Sequence, residues 1–249
     1  MTSLVVEKGK LTTFLSGFGP EVNDLRLTAS TFQLEGKVAL PSHIISRVVS
    51  ATIHNAGEII VSDVKKVLKF LQSLGAAANN IQLDQPTNRP LRVSCGKTSI
   101  TLPSTEYVRS SVAMGAASKI LEDLQGSCTW KTNVMSLSGR LQTKDIDSIK
   151  SMNKVVGKKD SSYFVGINPS TQEFTVRVGD KGEAQMFVSA ELDNCNGADK
   201  EMVFGPWFAD LMSIIPSGIV EVLTLDEAPL VINHVDKEFT MVVVDKVVN

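Results

Sequence analysis

The chain has 249 residues, 43% of them hydrophobic and 21% charged, with a formal net charge of -2. That length suits one large domain or two of roughly 100 to 150 residues, and ordinary apolar content with 17 glycines and 3 cysteines excludes collagen-like, disordered and disulfide-scaffold classes. No run approaches the ~20 consecutive apolar residues of a membrane helix, Met1 to Lys10 lacks a secretory pattern, and the separated Cys95, Cys128 and Cys195 suit reduced thiols, so a soluble intracellular protein is expected.

In chain order, a weak helix is predicted from Glu7 to Leu15, where Gly9 and several threonines lower the propensity. Short alternating or β-branched runs follow at Leu25 to Leu34 and Val48 to Ile53, the latter closed by the turn residues Asn55-Ala56-Gly57. The clearest helix is Ser62 to Leu74. Ser62 is its expected N-cap, Val64, Val67, Leu68, Leu71 and Leu74 form an apolar stripe, Gly75 ends it, and Lys65, Lys66, Lys69 and Gln72 occupy the opposite side. Strands are predicted at Ile81 to Asp84, Leu91 to Ser94 and Ser99 to Leu102. A connector with a short helical pattern at Ala116 to Gln125 comes next. A helix over Thr143 to Val156 turns Ile146, Ile149, Met152 and Val156 inward, with Lys150 and Lys154 one turn apart outward. Strands at Phe174 to Val178 and Ala184 to Leu192 precede a helix over Pro206 to Ile215, where Pro206 suits a first turn. The last strands are Val220 to Leu225, Leu230 to His234 and Phe239 to Val244.

The order helix, strand, Pro-Leu strand, strand occurs twice. Pro90-Leu91 and Pro229-Leu230 are 139 residues apart, about half the chain, which indicates two copies of one helix-plus-sheet unit. Charge is also uneven. Met1 to Leu124 carries 13 basic against 10 acidic residues, and Gln125 to Asn249 carries 12 against 17. Inside the acidic half, Arg140 to Lys159 is a basic island with Arg140, Lys144, Lys150, Lys154, Lys158 and Lys159 against Asp145 and Asp147.

No catalytic or metal-binding group stands out. His43, His54 and His234 have no ligand spacing to each other or to a cysteine. Gly96-Lys97-Thr98 lacks the first glycine of a phosphate loop, since Leu91 stands there, and lies between strands. Ser94 and Lys97 make an S-x-x-K spacing without its companion motifs. The adjacent pairs Asp226-Glu227 and Glu122-Asp123 do not form an acid/base couple. A non-enzymatic binding or scaffolding protein, without cofactor or metal, is therefore expected.

The stretch from Glu201 to Val247, with FGPWFADLMSII, IVEVLTL, DEAPLVI and FTMVVVDKV, resembles the last helix and hairpin of the proliferating cell nuclear antigen family of DNA sliding clamps. The stretch VSDVKKVLKFLQSL, IQLDQ, RPLRVSCGKTSITLP and STEYVRSSVA is similarly like the end of a first clamp domain in the T4-type phage clamps. The resemblance spans most of Ile59 to Asn249; Met1 to Gly57 matches less well. It implies an α+β fold of two clamp-type domains, each with two helices packed on antiparallel sheets, assembling into a pseudo-sixfold ring. The first domain would be 1–108, the connector 109–126 and the second domain 127–249.

On that resemblance the protein would be a processivity factor that encircles double-stranded DNA without reading its sequence. Three copies would form a homotrimer, opened by a clamp loader ATPase and holding a DNA polymerase, in the cytoplasm or nucleoid. The lining would be Lys65, Lys66, Lys69, Lys144, Lys150, Lys154, Lys158 and Lys159. A partner-peptide groove between the two domains would use Val38, Leu40, Tyr107, Val108, Pro229 and Val243. The competing readings are a β-rich viral or cellular structural assembly protein and a monomeric clamp-like accessory subunit.

Overall fold

The computed structural model describes residues 1–87, 89–104, 118–123, 129–130, 133–156, 161–179, 185–224 and 228–244. The chain divides into two compact units: Met1–Ala39 with Ile45–Ser118, and Leu40–Ile44 with Lys119–Asn249.

The first unit is built from β1 (Thr2–Glu7), α1 (Lys8–Ser16), β2 (Leu25–Ser30), β3 (Gln33–Leu40), β4 (His43–Ser50), β5 (Thr52–Asn55), β6 (Gly57–Val61), α2 (Val64–Ser73), β7 (Asn80–Gln85), β8 (Leu91–Cys95) and β9 (Thr98–Leu102). Its strands lie in the orders β5-β1-β7-β8-β9 and β4-β3-β2-β6. The second contains β10 (Thr129–Trp130), β11 (Asn133–Val134), β12 (Ser136–Gln142), a 3-10 turn Thr143–Ile146, α3 (Ile149–Val156), β13 (Tyr163–Asn168), β14 (Glu173–Val178), β15 (Met186–Glu191), β16 (Lys200–Phe204), α4 (Phe208–Ser213), β17 (Ile219–Thr224), β18 (Leu230–His234) and β19 (Phe239–Val243). Here the orders are β12-β17-β18-β19 and β15-β14-β13-β16, with β10-β11 a separate ladder.

The two units share one topology. The order β1-β7-β8-β9 has its counterpart in β12-β17-β18-β19, and β4-β3-β2-β6 in β15-β14-β13-β16. Helices α1 and α2 pack together in the first unit, as α3 and α4 do in the second. Each core therefore lies between a helix pair and the apolar faces of its sheets. In the first unit Leu11, Phe14, Leu15, Phe18, Leu25, Leu27 and Leu34 are all buried, and Phe14 and Phe18 sit edge to face with centroids 5.3 Å apart. In the second, Tyr163, Phe204 and Phe208 cluster, the latter two stacked at 4.8 Å.

Several sequence expectations shift in detail. The run Leu25 to Leu34 is a hairpin, because Thr31 takes φ 49 and turns the chain between β2 and β3. Val48 to Ile53 likewise divides at Ala51 between β4 and β5. The helix expected from Thr143 is a 3-10 turn followed by α3, because Thr143 exchanges hydrogen bonds with Gly218: its N–H donates to the Gly218 carbonyl, and its Oγ1 accepts the Gly218 N–H, both at 2.9 Å. Those bonds fix the first turn to the start of β17.

Candidate nucleic-acid interface

Helix α2 carries the cleanest cationic surface. Asp63, extended at φ -160 and ψ 83, starts it by accepting the Lys66 N–H at 2.8 Å. Ser62, the expected cap, instead donates its hydroxyl to the Pro103 carbonyl at 3.0 Å. Val64, Val67, Phe70 and Leu71 are buried, and this 3.6-residue stripe leaves Lys65, Lys66 and Lys69 exposed on the other side. At the far end, Lys8 of α1 donates to the carbonyls of Leu74 and Gly75, at 2.8 and 3.3 Å. A cation there complements the negative end of the α2 dipole. Lys10 of α1 is exposed, 3.9 Å from Glu7. Sequence reasoning did not select Lys8 or Lys10, because Gly9 and the threonines made α1 look marginal; the lysine doublet flanking Gly9 was the available signal.

The second unit presents a more mixed surface. Lys144 is exposed on the 3-10 turn beside Asp145, and Lys150 on α3 pairs with Asp147 at 2.6 Å. Asp210 is exposed on α4. Lys154 lies within α3. Lys158 and Lys159 lie outside the described residues. Exposed lysines of this kind suit screened, sequence-independent attraction to phosphates and no base readout.

The groove residues divide by burial. Val38 in β3 and Val243 in β19 are fully buried, Pro229 is buried just before β18, and Leu40 is half-buried. Tyr107 and Val108 lie outside the described residues. Within the second unit the segment Leu40–Ile44 meets the end of β19, where the Val244 N–H donates to the Ser42 carbonyl at 2.9 Å. His43 is buried there with its ring 6.3 Å from that of Trp207. Val244, which sequence reasoning did not select, is 43% exposed. A peptide approaching this part of the second unit would therefore meet Leu40 and Val244 before the buried Pro229 and Val243.

Other candidate chemistry resolves into structure. Among the described residues no three His, Cys, Asp or Glu side chains gather as a metal site. Gly96-Lys97 is the turn of the β8–β9 hairpin, with Gly96 at φ 56. His234 is buried against the Ser217 carbonyl, and His54 is exposed on β5. Cys195 donates its thiol to the Leu192 carbonyl at 2.7 Å.

No protein-family model and no curated protein matches the chain. Solved structures do. PCNA from Thermococcus kodakaraensis aligns over 99% of this chain and 100% of its own, with TM-score 0.72 and 11% identity. The DNA polymerase III beta subunit from Pseudomonas aeruginosa aligns over 99% and 65%, with TM-score 0.71 and 12% identity. The Helicobacter pylori beta clamp bound to a DNA ligase peptide aligns over 99% and 67%, with TM-score 0.63 and 14% identity. The chain thus spans about two thirds of the bacterial subunits and the whole of the archaeal one. These likenesses give the chain the sliding-clamp fold.

Proposed function

We propose that this chain, on the premise of its sliding-clamp fold, is a non-enzymatic processivity factor: a ring that encircles duplex DNA and tethers a replicative polymerase. The observation that carries the reading is the clamp topology repeated in both units together with the exposed Lys65, Lys66 and Lys69 on α2. Repeated domains suit a ring with pseudo-symmetry, and two per chain fit three chains per pseudo-sixfold ring, a homotrimer. The expected division is 1–108, a connector at 109–126, and 127–249. Lysines on α2, on the 143–146 turn and on α3 would face the duplex. In a closed ring, weak contacts suffice, because topology rather than affinity prevents escape.

Partner docking would use the surface at Leu40 and Val244 together with Tyr107 and Val108, and the buried Val38, Pro229 and Val243 would support it from within. The ligase peptide on the Helicobacter pylori clamp supports a short-peptide mode. A separate clamp loader ATPase would open the ring, and the site of action would be the cytoplasm or nucleoid. Among the described residues no helix is long and apolar enough to cross a membrane.

Replacing Lys66, Lys69, Lys150 and Lys154 together by Ala tests the lining. For every lysine that neutralises a phosphate, its removal should lower the slope of log affinity against log salt by about 0.9, and processive synthesis should shorten. Unchanged salt slope and processivity would overturn the assignment.

A further inference from the structure

Asn196-Gly197 is the one place in the chain where a glycine follows an asparagine. It lies between β15 and β16, in a loop tied down at both ends. At the first end the Leu192 N–H donates to the Gln172 carbonyl at 2.9 Å, and Asp193 exchanges main-chain hydrogen bonds with Arg140 of β12, both at 2.8 Å. At the second end the Asp199 carboxylate accepts the Ser170 N–H at 3.0 Å and the Ser170 hydroxyl. Between them Asn196, Gly197 and Ala198 are exposed and belong to no helix or strand.

Asparagine is thermolabile, because the main-chain nitrogen of the following residue can attack its amide carbon and close a five-membered ring. The attack needs backbone outside the regular elements, a small following residue, and an N–H free to lose its proton. Position 196 meets each condition. Gly197 has no side chain, and nothing lies within 4 Å of where a Cβ would stand. Among the described residues its N–H has no hydrogen-bond partner. The Asn196 Nδ2 donates to the Asn194 carbonyl at 3.2 Å, an exposed bond that water readily replaces. Other asparagines lack one condition or another: Asn55 is followed by Ala56, Asn194 by Cys195, and Asn168 by Pro169, which has no N–H to lose.

We propose that Asn196 converts without an enzyme to aspartate and isoaspartate. Hydroxide or a buffer base removes the Gly197 N–H proton; the nitrogen bonds to Asn196 Cγ, the Cγ–Nδ2 bond breaks, and ammonia leaves with a proton from solvent. Water then opens the succinimide. Addition at Cγ gives an ordinary aspartate, whereas addition at the main-chain carbonyl leaves the chain running through the side chain, one atom longer. The sum exchanges ammonia for water, with nothing oxidised or reduced.

Either product places a new carboxylate between Asp193 and Asp199, both exposed, so the formal net charge of -2 becomes more negative by one. The added main-chain atom falls in an exposed loop whose ends stay tied, so the flanking strands keep their register. The site is independent of the ring reading.

Incubating the folded full chain at neutral and at mildly alkaline pH, followed by peptide mass spectrometry, tests this. The peptide holding Asn196 should gain about 1 Da as NH2 gives way to OH, in two chromatographic forms of equal mass, at a rate that rises in proportion to hydroxide. Isoaspartyl methyltransferase should label one form and not the other. The folded rate should lie within about threefold of the rate in urea, since an exposed loop opens at almost no cost. Asn196→Gln, whose longer side chain closes the ring poorly, should keep its starting mass and charge. Asn196→Asp should run from the outset with the aged acidic form on a native gel. An Asn196 that stays intact in the folded chain while urea releases the reaction, or an acidic form that accumulates as fast in Asn196→Gln, would overturn the proposal.

Discussion

Tyr163 is fully buried with its ring centroid 5.7 Å from that of Phe208, and its phenol is pushed up from 10.0 to about 12, first by burial and then by the Asp210 carboxylate. The folded chain thus holds this proton more tightly than the unfolded chain. Its contribution to stability is complete below pH 10 and is lost as the pH climbs toward 12. Denaturant midpoints measured across that window should fall, and Tyr163→Phe should flatten that fall. A phenolate titration should show one of the two tyrosines ionising only as the fold is lost. Equal slopes for the wild type and Tyr163→Phe would remove Tyr163 as the cause. At the same scale, burial separates the groove candidates: Val243, wholly enclosed, reports on folding when changed to a charge, whereas Leu40 and Val244 can report on docking.

Helix α2 is where local sequence and local structure agree best, and its cap is where they diverge. The stripe of Val64, Val67 and Leu71 and the lysines opposite were legible because an amphipathic period of 3.6 is a strong signal over ten residues. The cap was not, because Ser62 and Asp63 are both good cap residues, and only the fold shows that Ser62 is spent on Pro103. Asp63→Ala should therefore cost about 1 kcal/mol, and Asp63→Asn much less. Ser62→Ala, losing an exposed hydrogen bond, should cost under about 0.5 kcal/mol. Thermal melts of the three variants check the order, and a larger loss at Ser62 would return the cap to that residue. Helix α1 was hardest to see for the opposite reason. Its propensity is poor, and it is stable because Leu11, Phe14 and Leu15 are buried and Lys8 reaches the end of α2, contacts that no window of nine residues contains.

The repeat was legible at the scale of the whole chain from the recurring order of helix and strands together with Pro90-Leu91 and Pro229-Leu230, since a proline opening a strand marks the same turn in both units, before β8 and β18. What the sequence left hidden was the shared sheet order, which depends on pairings between distant strands such as β1 with β7 and β12 with β17. Net charge was the other whole-chain clue, and it misleads when read as one number: -2 is compatible with α2 presenting three exposed lysines in a row of turns. Encirclement makes a prediction that charge alone does not. A protein held by phosphate contacts leaves DNA when salt is raised, whatever the shape of the DNA. If the proposed ring is closed on a nicked circle by the proposed ATPase loader, it should survive a high-salt wash through gel filtration, and then leave once the circle is cut to a linear form, by sliding off the ends. Loss from circle and line at the same salt concentration would mean that this protein grips DNA without surrounding it; retention on the circle alone requires a closed ring, whatever the strength of the lysine contacts.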